Sequence, residues 1–130
     1  MRIDWAFIAR HVDTLQDGTY IASGIGSNVF AVAETPSPLM APCLMQVSAP
    51  YDEAGIEKPL VVRVIGTDPM EPVEPMTLPI GITPGPNTPE GWQITAISPL
   101  GVSFVAAERG TYSIEMALDG SEYSLPVIVQ

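Results

Sequence analysis

The sequence predicts an all-β fold, most simply a two-sheet antiparallel sandwich of about eight strands. Fourteen prolines and eleven glycines separate its short apolar runs, a distribution that suits strands and turns and would break the helices of a bundle. Several runs alternate apolar and polar residues with the two-residue period of a strand, and no long segment has helical periodicity. A length of 130 residues, 46% of them hydrophobic, predicts one domain over 1–130.

The clearest element is a hairpin at the end of the sequence. Residues 111–118 alternate an apolar face with a mostly polar one, and 123–129 repeat the pattern on a return strand. Asp119 and Gly120 between them favour the positive φ angles of a two-residue hairpin turn. Pro126 cannot donate a ladder hydrogen bond, so we expect the last strand to lie at an edge or to face solvent there.

The preceding strands follow from the same alternation. A first strand over 2–12 has apolar residues on both faces, and Asp17-Gly18 marks a second hairpin turn. The β-branched run 60–65, with Arg63 as its single charge, predicts a central strand covered on both faces. Pro99-Leu100-Gly101 predicts a turn. The remaining candidate strands are 19–24, 40–48, 76–82, 92–97 and 102–106.

A long proline-rich and acidic segment covers 68–91. Seven prolines between 69 and 91 exclude a long helix or a central strand, so only a short edge strand is expected, at 76–82. A loop of this length in a compact domain usually has a use or is disordered. We therefore predict that this segment and the loop over 48–58 contact a partner.

The arrangement of the strands is expected to be immunoglobulin-like. Gly110-Thr111-Tyr112 leads into a strand near the end of the chain, like the tyrosine-containing strand entry of such domains. The sequence has neither the cysteine pair nor the central tryptophan of an antibody domain. A jelly roll and a partly open barrel therefore stay as alternatives.

Three parts of the sequence resemble a family of short uncharacterised bacterial proteins of unknown function. They are Asp4-Trp5-Ala6-Phe7-Ile8-Ala9, then Gly18-Thr19-Tyr20-Ile21-Ala22-Ser23-Gly24-Ile25-Gly26, and finally Gly110-Thr111-Tyr112 with Asp119-Gly120. The resemblance extends over nearly the whole chain, and its motifs consist of turn and core residues. It implies a small stand-alone β-sandwich of a bacterium or a bacterial virus. It supplies no catalytic or binding residues and implies no activity.

The charge balance limits the partners. Five basic against fifteen acidic residues give a net charge of −10. A surface this negative repels phosphate backbones and anionic membranes, so we expect no nucleic-acid binding and no membrane insertion. No apolar run approaches the ~20 residues of a membrane-spanning helix.

Two features predict the location of the protein. Asp4 interrupts the apolar core that a secretory signal would need, and Arg10 and His11 end the apolar run early. Because Cys43 is the single cysteine, no disulfide can form within the chain. Both features favour a cytoplasmic protein, or a virion component made in the cytoplasm.

Candidate catalytic residues are few. His11 is the single histidine, and Asp13 lies on the same face of its strand, where it could orient the imidazole. No serine lies in a Gly-x-Ser-x-Gly elbow that would supply a nucleophile. Cys43 lies among apolar residues and is expected to be buried and unreactive. A hydrolase built around His11 is therefore a remote alternative, and no cofactor is expected.

Metal binding is a further alternative. One histidine and one cysteine cannot form a standard zinc site. Carboxylates in the loops of a β-sandwich can bind calcium, although neither acidic loop has the spacing of an EF-hand. The calcium candidates are Asp52, Glu53 and Glu57 in one loop and Asp68, Glu71 and Glu74 in another.

Together these observations favour a non-enzymatic module that acts by contact, as a subunit or accessory domain of a larger bacterial or phage assembly. Its partner is expected to be another protein or a second copy of the chain. The predicted contact residues are Pro69, Met70, Glu71, Pro72 and Trp92. For Trp92 a core position is the alternative, because Ile94 and Ala96 continue its strand pattern. A calcium- or carbohydrate-binding sandwich is the second hypothesis.

Overall fold

Strands account for most of the chain. The computed structural model describes residues 1–66 and 75–130, and within these ranges the one helical element is the 3₁₀ turn Tyr51–Glu53. The strands are β1 Arg2–Ile8, β2 His11–Thr14, β3 Tyr20–Ser23, β4 Val29–Phe30, β5 Ser37–Pro50, β6 Lys58–Gly66, β7 Met76–Ile80, β8 Gln93–Ala106, β9 Gly110–Leu118 and β10 Ser121–Val129. The prediction of an all-β fold is confirmed.

Two larger sheets and a separate hairpin order these strands. β1, β5 and β8 form a three-stranded antiparallel sheet with β5 in the middle. A five-stranded sheet has the order β4-β10-β9-β6-β7. Its pairings are antiparallel except for the parallel pairing of β4 with β10. β2 and β3 pair only with each other.

The hydrophobic core draws on both larger sheets. Alternate residues of β6, β9 and β10, and most alternate residues of β5 and β8, point into it, as the two-residue period requires. Met45 and Val47 of β5 are fully buried, and so are Ile114 and Leu118 of β9. All four belong to one hydrophobic cluster, so the two sheets share a single core.

The C-terminal hairpin has the predicted form. β9 and β10 pair without interruption from Gly110 with Val129 to Leu118 with Ser121. Asp119 and Gly120 adopt φ angles of 49° and 82°. Positive φ at both central residues is the backbone that a two-residue hairpin turn requires, because its twist matches that of the strands.

Pro126 is exposed, as expected, although β10 is not the edge strand of its sheet because β4 pairs with it at Ile128 and Val129. Its carbonyl oxygen accepts a hydrogen bond from Asn28 Nδ2 (3.2 Å), and the next residue of the same orientation, Ile128, donates to the Asn28 carbonyl oxygen (2.8 Å). The N–H and C=O positions of one strand residue face the same side. The missing N–H of Pro126 therefore faces the β4 side, and the ladder with β9 loses no donor.

The prediction of a single first strand over 2–12 is wrong. The chain leaves the three-stranded sheet after β1, and the Arg10 N–H donates to the Ser23 carbonyl oxygen of the β2–β3 hairpin (2.9 Å). Gly24 permits this close approach, because its φ is +67° and a Cβ there would lie 2.7 Å from the Arg10 Cβ. Residues 2–12 thus divide between two different sheets.

The predicted turn at Pro99-Leu100-Gly101 is also wrong. The candidate strands 92–97 and 102–106 belong to one continuous strand, β8, which pairs with β5 over its whole length. Pro99 and Gly101 do not interrupt β8, because its pairing with β5 continues through both residues.

The orientation of the backbone explains why β8 tolerates its proline. The Pro42 carbonyl accepts from the Ala9 N–H (2.9 Å), so it points away from β8, and the pair that Pro42 forms with Gly101 is not hydrogen-bonded. Gly101 therefore turns its N–H and C=O to the free edge of β8. By the two-residue period, the N–H position of Pro99 faces the same free edge, where a missing donor is harmless.

β6 is an inner strand of its sheet but is buried on one face only. It lies between β9 and β7, which agrees with the prediction of a central strand. Arg63 and Ile65 point outward, and Ile65 is 48% exposed, so the prediction of cover on both faces is wrong. The predicted edge strand over 76–82 is present as β7, at the end of the five-stranded sheet.

A tyrosine fixes the entry into β9. The Tyr112 hydroxyl donates to the Glu108 carbonyl oxygen (2.6 Å) and accepts from the Glu108 N–H (3.4 Å). The Tyr112 ring packs against Phe104 with 5.6 Å between the ring centroids. The hydroxyl thereby binds the backbone N–H and C=O of Glu108 in the turn before β9, while the ring packs in the core.

Candidate interaction surface

The outward side of the three-stranded sheet carries an apolar surface. Strand register places Trp5, Gln46 and Ile97 in one cross-strand row and Phe7, Leu44 and Pro99 in the next. Paired residues share one side of a sheet, and these rows lie on the side opposite the core. We call this surface the apolar face, formed by Trp5, Phe7, Met40, Pro42, Leu44, Ile97, Pro99 and Val105.

The apolar face is packed at its centre and open at its margin. Trp5 and Phe7 stack with ring centroids 5.2 Å apart and planes inclined by 6°. Leu44 is 6% exposed although it lies outside the core cluster, so neighbours on its own side of the sheet cover it. The exposed members are Met40 (54%), Ile97 (42%), Val105 (55%) and Pro99.

Charge is absent from the two strands that form most of the apolar face. β5 and β8 contain 14 residues each, and neither includes an aspartate, glutamate, lysine, arginine or histidine. The chain as a whole has a net charge of −10. These strands therefore form a surface that another negatively charged protein could approach without facing a carboxylate directly.

A polar network closes one end of the apolar face. The Asp4 carboxylate accepts hydrogen bonds from Gln46 Nε2 (3.0 Å), Ser48 Oγ (2.9 Å) and Arg2 Nε (3.0 Å). Burial alone would raise the pKa of Asp4, but these hydrogen bonds outweigh it and lower the pKa. Ser48 is almost fully buried beneath the network. The ionised carboxylate is thus held by three donors and has a structural role.

The outward side of the five-stranded sheet has a different chemistry. We call it the polar face, formed by Arg63, Ser113, Glu115, Glu122 and Ser124 beside the apolar Val61, Ile65, Ala117 and Ile128. Glu115, on the middle strand, accepts hydrogen bonds from Ser113 Oγ (2.6 Å) and from Ser124 Oγ, and both lower its pKa. Arg63 is the cross-strand neighbour of Glu115. An open depression of about 470 Å³ lies over this face.

His11 lies apart from the hydrogen-bonded side-chain networks of the described residues. It is exposed on β2, opposite Ser23 of β3. No hydrogen bond joins its ring to Asp13 or to Ser23. The ring lines an open depression of about 560 Å³ together with Arg10 and Met40, at the end of the apolar face. The structure therefore shows no hydrogen bond by which Asp13 would orient the His11 imidazole, as the sequence had suggested.

Cys43 is buried, as predicted. It is a member of the core cluster, and its Sγ donates weakly to the Ala41 carbonyl oxygen (3.5 Å). Burial raises the pKa of the Cys43 thiol to about 12. A thiol in this environment is protonated at neutral pH and is a poor nucleophile.

The calcium candidates of the first acidic loop are not brought together. Glu53 Oε2 binds the Met1 ammonium group at 3.0 Å. Within residues 1–66 and 75–130, no group of three or more histidine, cysteine, aspartate or glutamate side chains is placed to hold a metal ion. Asp52 lines an open depression together with Glu90, away from the Met1 ammonium group that Glu53 binds. The second set of candidates, Asp68, Glu71 and Glu74, lies outside the described residues.

Trp92 is the one predicted contact residue that lies in the described part of the chain. It is 65% exposed immediately before β8, so the alternative of a core position is wrong. The other predicted contact residues, Pro69, Met70, Glu71 and Pro72, lie outside the described residues.

The two predicted contact segments meet near Trp92. Tyr51 and Asp52 of the loop over 48–58 line an open depression of about 450 Å³ together with Glu90 and Gly91, at the end of the 68–91 segment. This depression lies next to the start of β8. The structure thus brings parts of both segments together, at the other end of β8 from Val105.

Comparison with known proteins assigns the chain to no family. No family model, curated protein or solved structure matches the chain. The resemblance to a bacterial family therefore stays a prediction. In the described ranges, no helix combines the length and apolarity that crossing a bilayer would require.

The apolar face is the surface that sequence patterns did not reveal. One of its two 14-residue strands, β8, has the sequence pattern of two short strands around a turn. Because Pro99 and Gly101 predict that turn, the pattern does not show that the outward positions of β8 share one surface. The sequence feature from which the apolar face could have been predicted is the lack of charged residues over 37–50 and 93–106. A half-buried strand normally places charged residues on its wet side.

Proposed function

We propose that the chain is a non-enzymatic interaction module, a subunit or accessory domain of a larger bacterial or phage assembly. It acts through contacts with protein surfaces. The observation that carries this proposal is the apolar face, which is uncharged and partly exposed in a strongly acidic chain.

The composition of the apolar face supports a role in docking. Contiguous exposed apolar patches rimmed by polar groups are typical of protein interaction sites. The centres of interfaces are enriched in aromatic residues and methionine and depleted in charge. Trp5, Phe7 and Met40 provide the first feature, the uncharged β5 and β8 provide the second, and the Asp4 network provides a polar rim.

The finer architecture that we propose is an immunoglobulin-like sandwich. In that fold, strands A, B and E share one sheet, and G, F, C and C′ share the other. The order β1-β5-β8 corresponds to A-B-E, and β10-β9-β6-β7 corresponds to G-F-C-C′. The hydrogen bond from Tyr112 to Glu108, at the entry to the strand in the F position, corresponds to the tyrosine corner of such domains.

The location that we propose is the cytoplasm, or a virion assembled there. The lone, buried Cys43 supports this proposal, because small domains of oxidising compartments are usually stabilised by disulfides. The proposal does not depend on any partner.

Replacing Tyr112 by phenylalanine tests the tyrosine corner. The ring stays in the core while the hydroxyl that bonds the Glu108 carbonyl is lost, so we expect Tyr112→Phe to reduce the free energy of unfolding by about 1 kcal/mol. Tyr123→Phe is the matched control, because Tyr123 is half-buried on the neighbouring strand and its hydroxyl makes no hydrogen bond to the described residues. Denaturant unfolding of both variants would show equal losses if the corner contributed nothing.

Site-specific photo-cross-linking tests the proposed function. A photo-reactive amino acid replaces Ile97 on the apolar face or, as the control, Ser124 on the polar face, in cells that naturally make the protein. We expect covalent adducts with a defined protein from position 97 and none from position 124. Equal labelling at both positions, or none at either, would contradict docking through the apolar face.

A further inference from the structure

β8 forms one edge of the three-stranded sheet. β8 pairs with β5 on one side, and no strand in the described ranges pairs with its other side. Its 14 residues, at about 3.4 Å each, give an edge of roughly 48 Å. Natural edge strands are usually short, charged, bulged or interrupted by proline, because an unpaired edge recruits another strand. β8 has no charge, and Pro99 alone interrupts it.

The backbone orientation identifies which groups are unpaired. Gly101 turns its N–H and C=O away from β5, and by the two-residue period Ser103 and Val105 do the same. Pro99 ends this run of donors on one side. Gly101, Ser103 and Val105 thus present three N–H groups and three carbonyls in strand geometry, which another strand can pair.

We propose that this edge pairs with the same edge of a second copy of the chain. The two β8 strands run antiparallel about a two-fold axis at Ser103, so that Ser103 faces Ser103 of the second copy and Val105 faces Gly101 of the second copy. This register forms six N–H···O=C hydrogen bonds and joins two three-stranded sheets into one of six strands. Both copies then present their apolar faces on the same side of the joined sheet.

Charge favours a second copy at this edge. Each copy carries a net charge of −10, so two copies repel each other wherever acidic surfaces meet. β5 and β8 together hold no charged side chain, so pairing along β8 opposes no carboxylate to another within these strands. A two-fold symmetric contact brings the same patch of both copies together. Two copies of a strongly acidic chain therefore repel each other least where this patch is uncharged.

The side chains along the edge are complementary under this symmetry. Val105 is 55% exposed, and the residue opposite it, Gly101 of the second copy, has no side chain to obstruct it. A Cβ at Gly101 would lie 3.6 Å from Met40 Sδ, so Met40 borders the space above the glycine. Val105 of one copy can therefore pack against Met40 of the other, and this buries two exposed side chains per contact.

The proposed architecture leads to the same edge. In an immunoglobulin-like sheet the strand beyond E is D, in the order A-B-E-D. β8 has the E position, and no described strand has the D position. The second copy's β8 would occupy it.

The test is the molar mass in solution, by light scattering behind a sizing column over about a hundredfold range of protein concentration. We expect wild type to double its mass as concentration rises and Ser103→Pro to stay monomeric. The proline removes an edge-facing N–H and leaves the β5 ladder intact. Thr95→Pro removes an N–H from the same edge outside the proposed register, and we expect it to dimerise like wild type.

Two further variants keep the outcome clear if Ser103→Pro fails to fold. Val105→Lys changes an exposed side chain and is expected to reduce dimerisation at least tenfold. Ser103→Cys should form a disulfide-linked dimer under mild oxidation, because hydrogen-bonded antiparallel partners lie about 5.5 Å apart at Cα, within the range of a disulfide. Thr95→Cys and wild type, whose one thiol is buried, should not.

Each alternative result overturns a defined part of the inference. Wild type that is monomeric at every concentration excludes self-pairing. A dimer that survives both Ser103→Pro and Val105→Lys excludes β8, and a dimer that only Thr95→Pro dissociates excludes the register. The inference rests on the proposed function, but the two fail separately, since a monomer that still gives adducts at position 97 would overturn only the dimer.

Discussion

The outward faces of the two larger sheets differ in chemistry although the strands beneath them share one core. The polar face of the five-stranded sheet places Arg63 beside Glu115 and satisfies Glu115 with two serine hydroxyls. The apolar face of the three-stranded sheet places a stacked Trp5–Phe7 pair over a buried Leu44. The polar face places charged and hydroxyl groups beside exposed Ile65 and Ile128, whereas the apolar face carries aromatic residues and methionine, which are enriched at interfaces.

The strands of neither larger sheet carry the net acidic charge of the chain. Lys58 and Arg63 balance Glu115 and Glu122 on the strands of the five-stranded sheet, and β5 and β8 have no charged side chain. The net charge of −10 therefore comes from residues outside the strands of the two larger sheets. A uniformly charged surface would keep copies apart in every orientation. The absence of charged side chains from β5 and β8 leaves a surface that a protein can approach without meeting a carboxylate of these strands.

The largest expected effect is the loss of stability when the packed centre of the apolar face is truncated. Leu44→Ala removes methyl groups from a position that is 6% exposed, and we expect it to reduce the free energy of unfolding by about 2–3 kcal/mol. Ile65→Ala, on the outward side of the other sheet at 48% exposure, should cost about 0.5 kcal/mol. Denaturant unfolding at one fixed protein concentration measures both. Equal losses would show that Leu44 is not part of a packed layer.

The parts of this fold that sequence predicts well are local. Asp119-Gly120 determines its hairpin because the turn residues and the two alternating strands are adjacent in sequence. The exposure of Pro126 and the burial of Cys43 follow in the same way from single residues and their neighbours.

The parts that sequence predicts poorly depend on pairing between distant segments. Pro99 is a turn signal by itself, and it fits within β8 because the register with β5 directs its missing N–H to the free edge. Ile65 belongs to a β-branched run typical of a doubly buried strand, yet its outward side is open. The candidate surface was missed for the same reason, because it requires the register of three strands.

A smaller effect is expected from the network that closes the apolar face. Asp4→Ala leaves the buried Ser48 hydroxyl and the Gln46 amide without their acceptor, and we expect a loss of about 1–3 kcal/mol at neutral pH. Asp13→Ala is the control, because Asp13 is exposed on the β2–β3 hairpin. A control variant as destabilised as Asp4→Ala would point to the loss of negative charge in general.

The same carboxylate predicts a pH dependence. The pKa of Asp4 is lowered from its ordinary value of 3.8 in the folded chain, so ionisation stabilises the fold. That contribution is complete above 3.8 and is lost as the pH falls through the lower, folded pKa. The difference between wild type and Asp4→Ala should therefore shrink in acid, as thermal unfolding between neutral pH and pH about 3 would show. A difference that stays constant over this range would mean that Asp4 contributes only through packing.

The smallest effect is expected on the polar face. Glu115→Gln keeps one acceptor for the serine hydroxyls and loses the charge, so we expect a loss of about 0.5–1 kcal/mol at neutral pH in a partly exposed site. Glu122→Gln, an exposed neighbour on β10, should have almost no effect. The pKa of Glu115 is lowered from 4.5 by Ser113 and Ser124, so its contribution is present above 4.5 and disappears as the pH falls through the folded pKa. If Glu115→Gln reduced the free energy of unfolding more than Leu44→Ala, the side chains of the polar face would contribute more to stability than those of the apolar face. That result would contradict the description of the apolar face as a preorganised surface for docking.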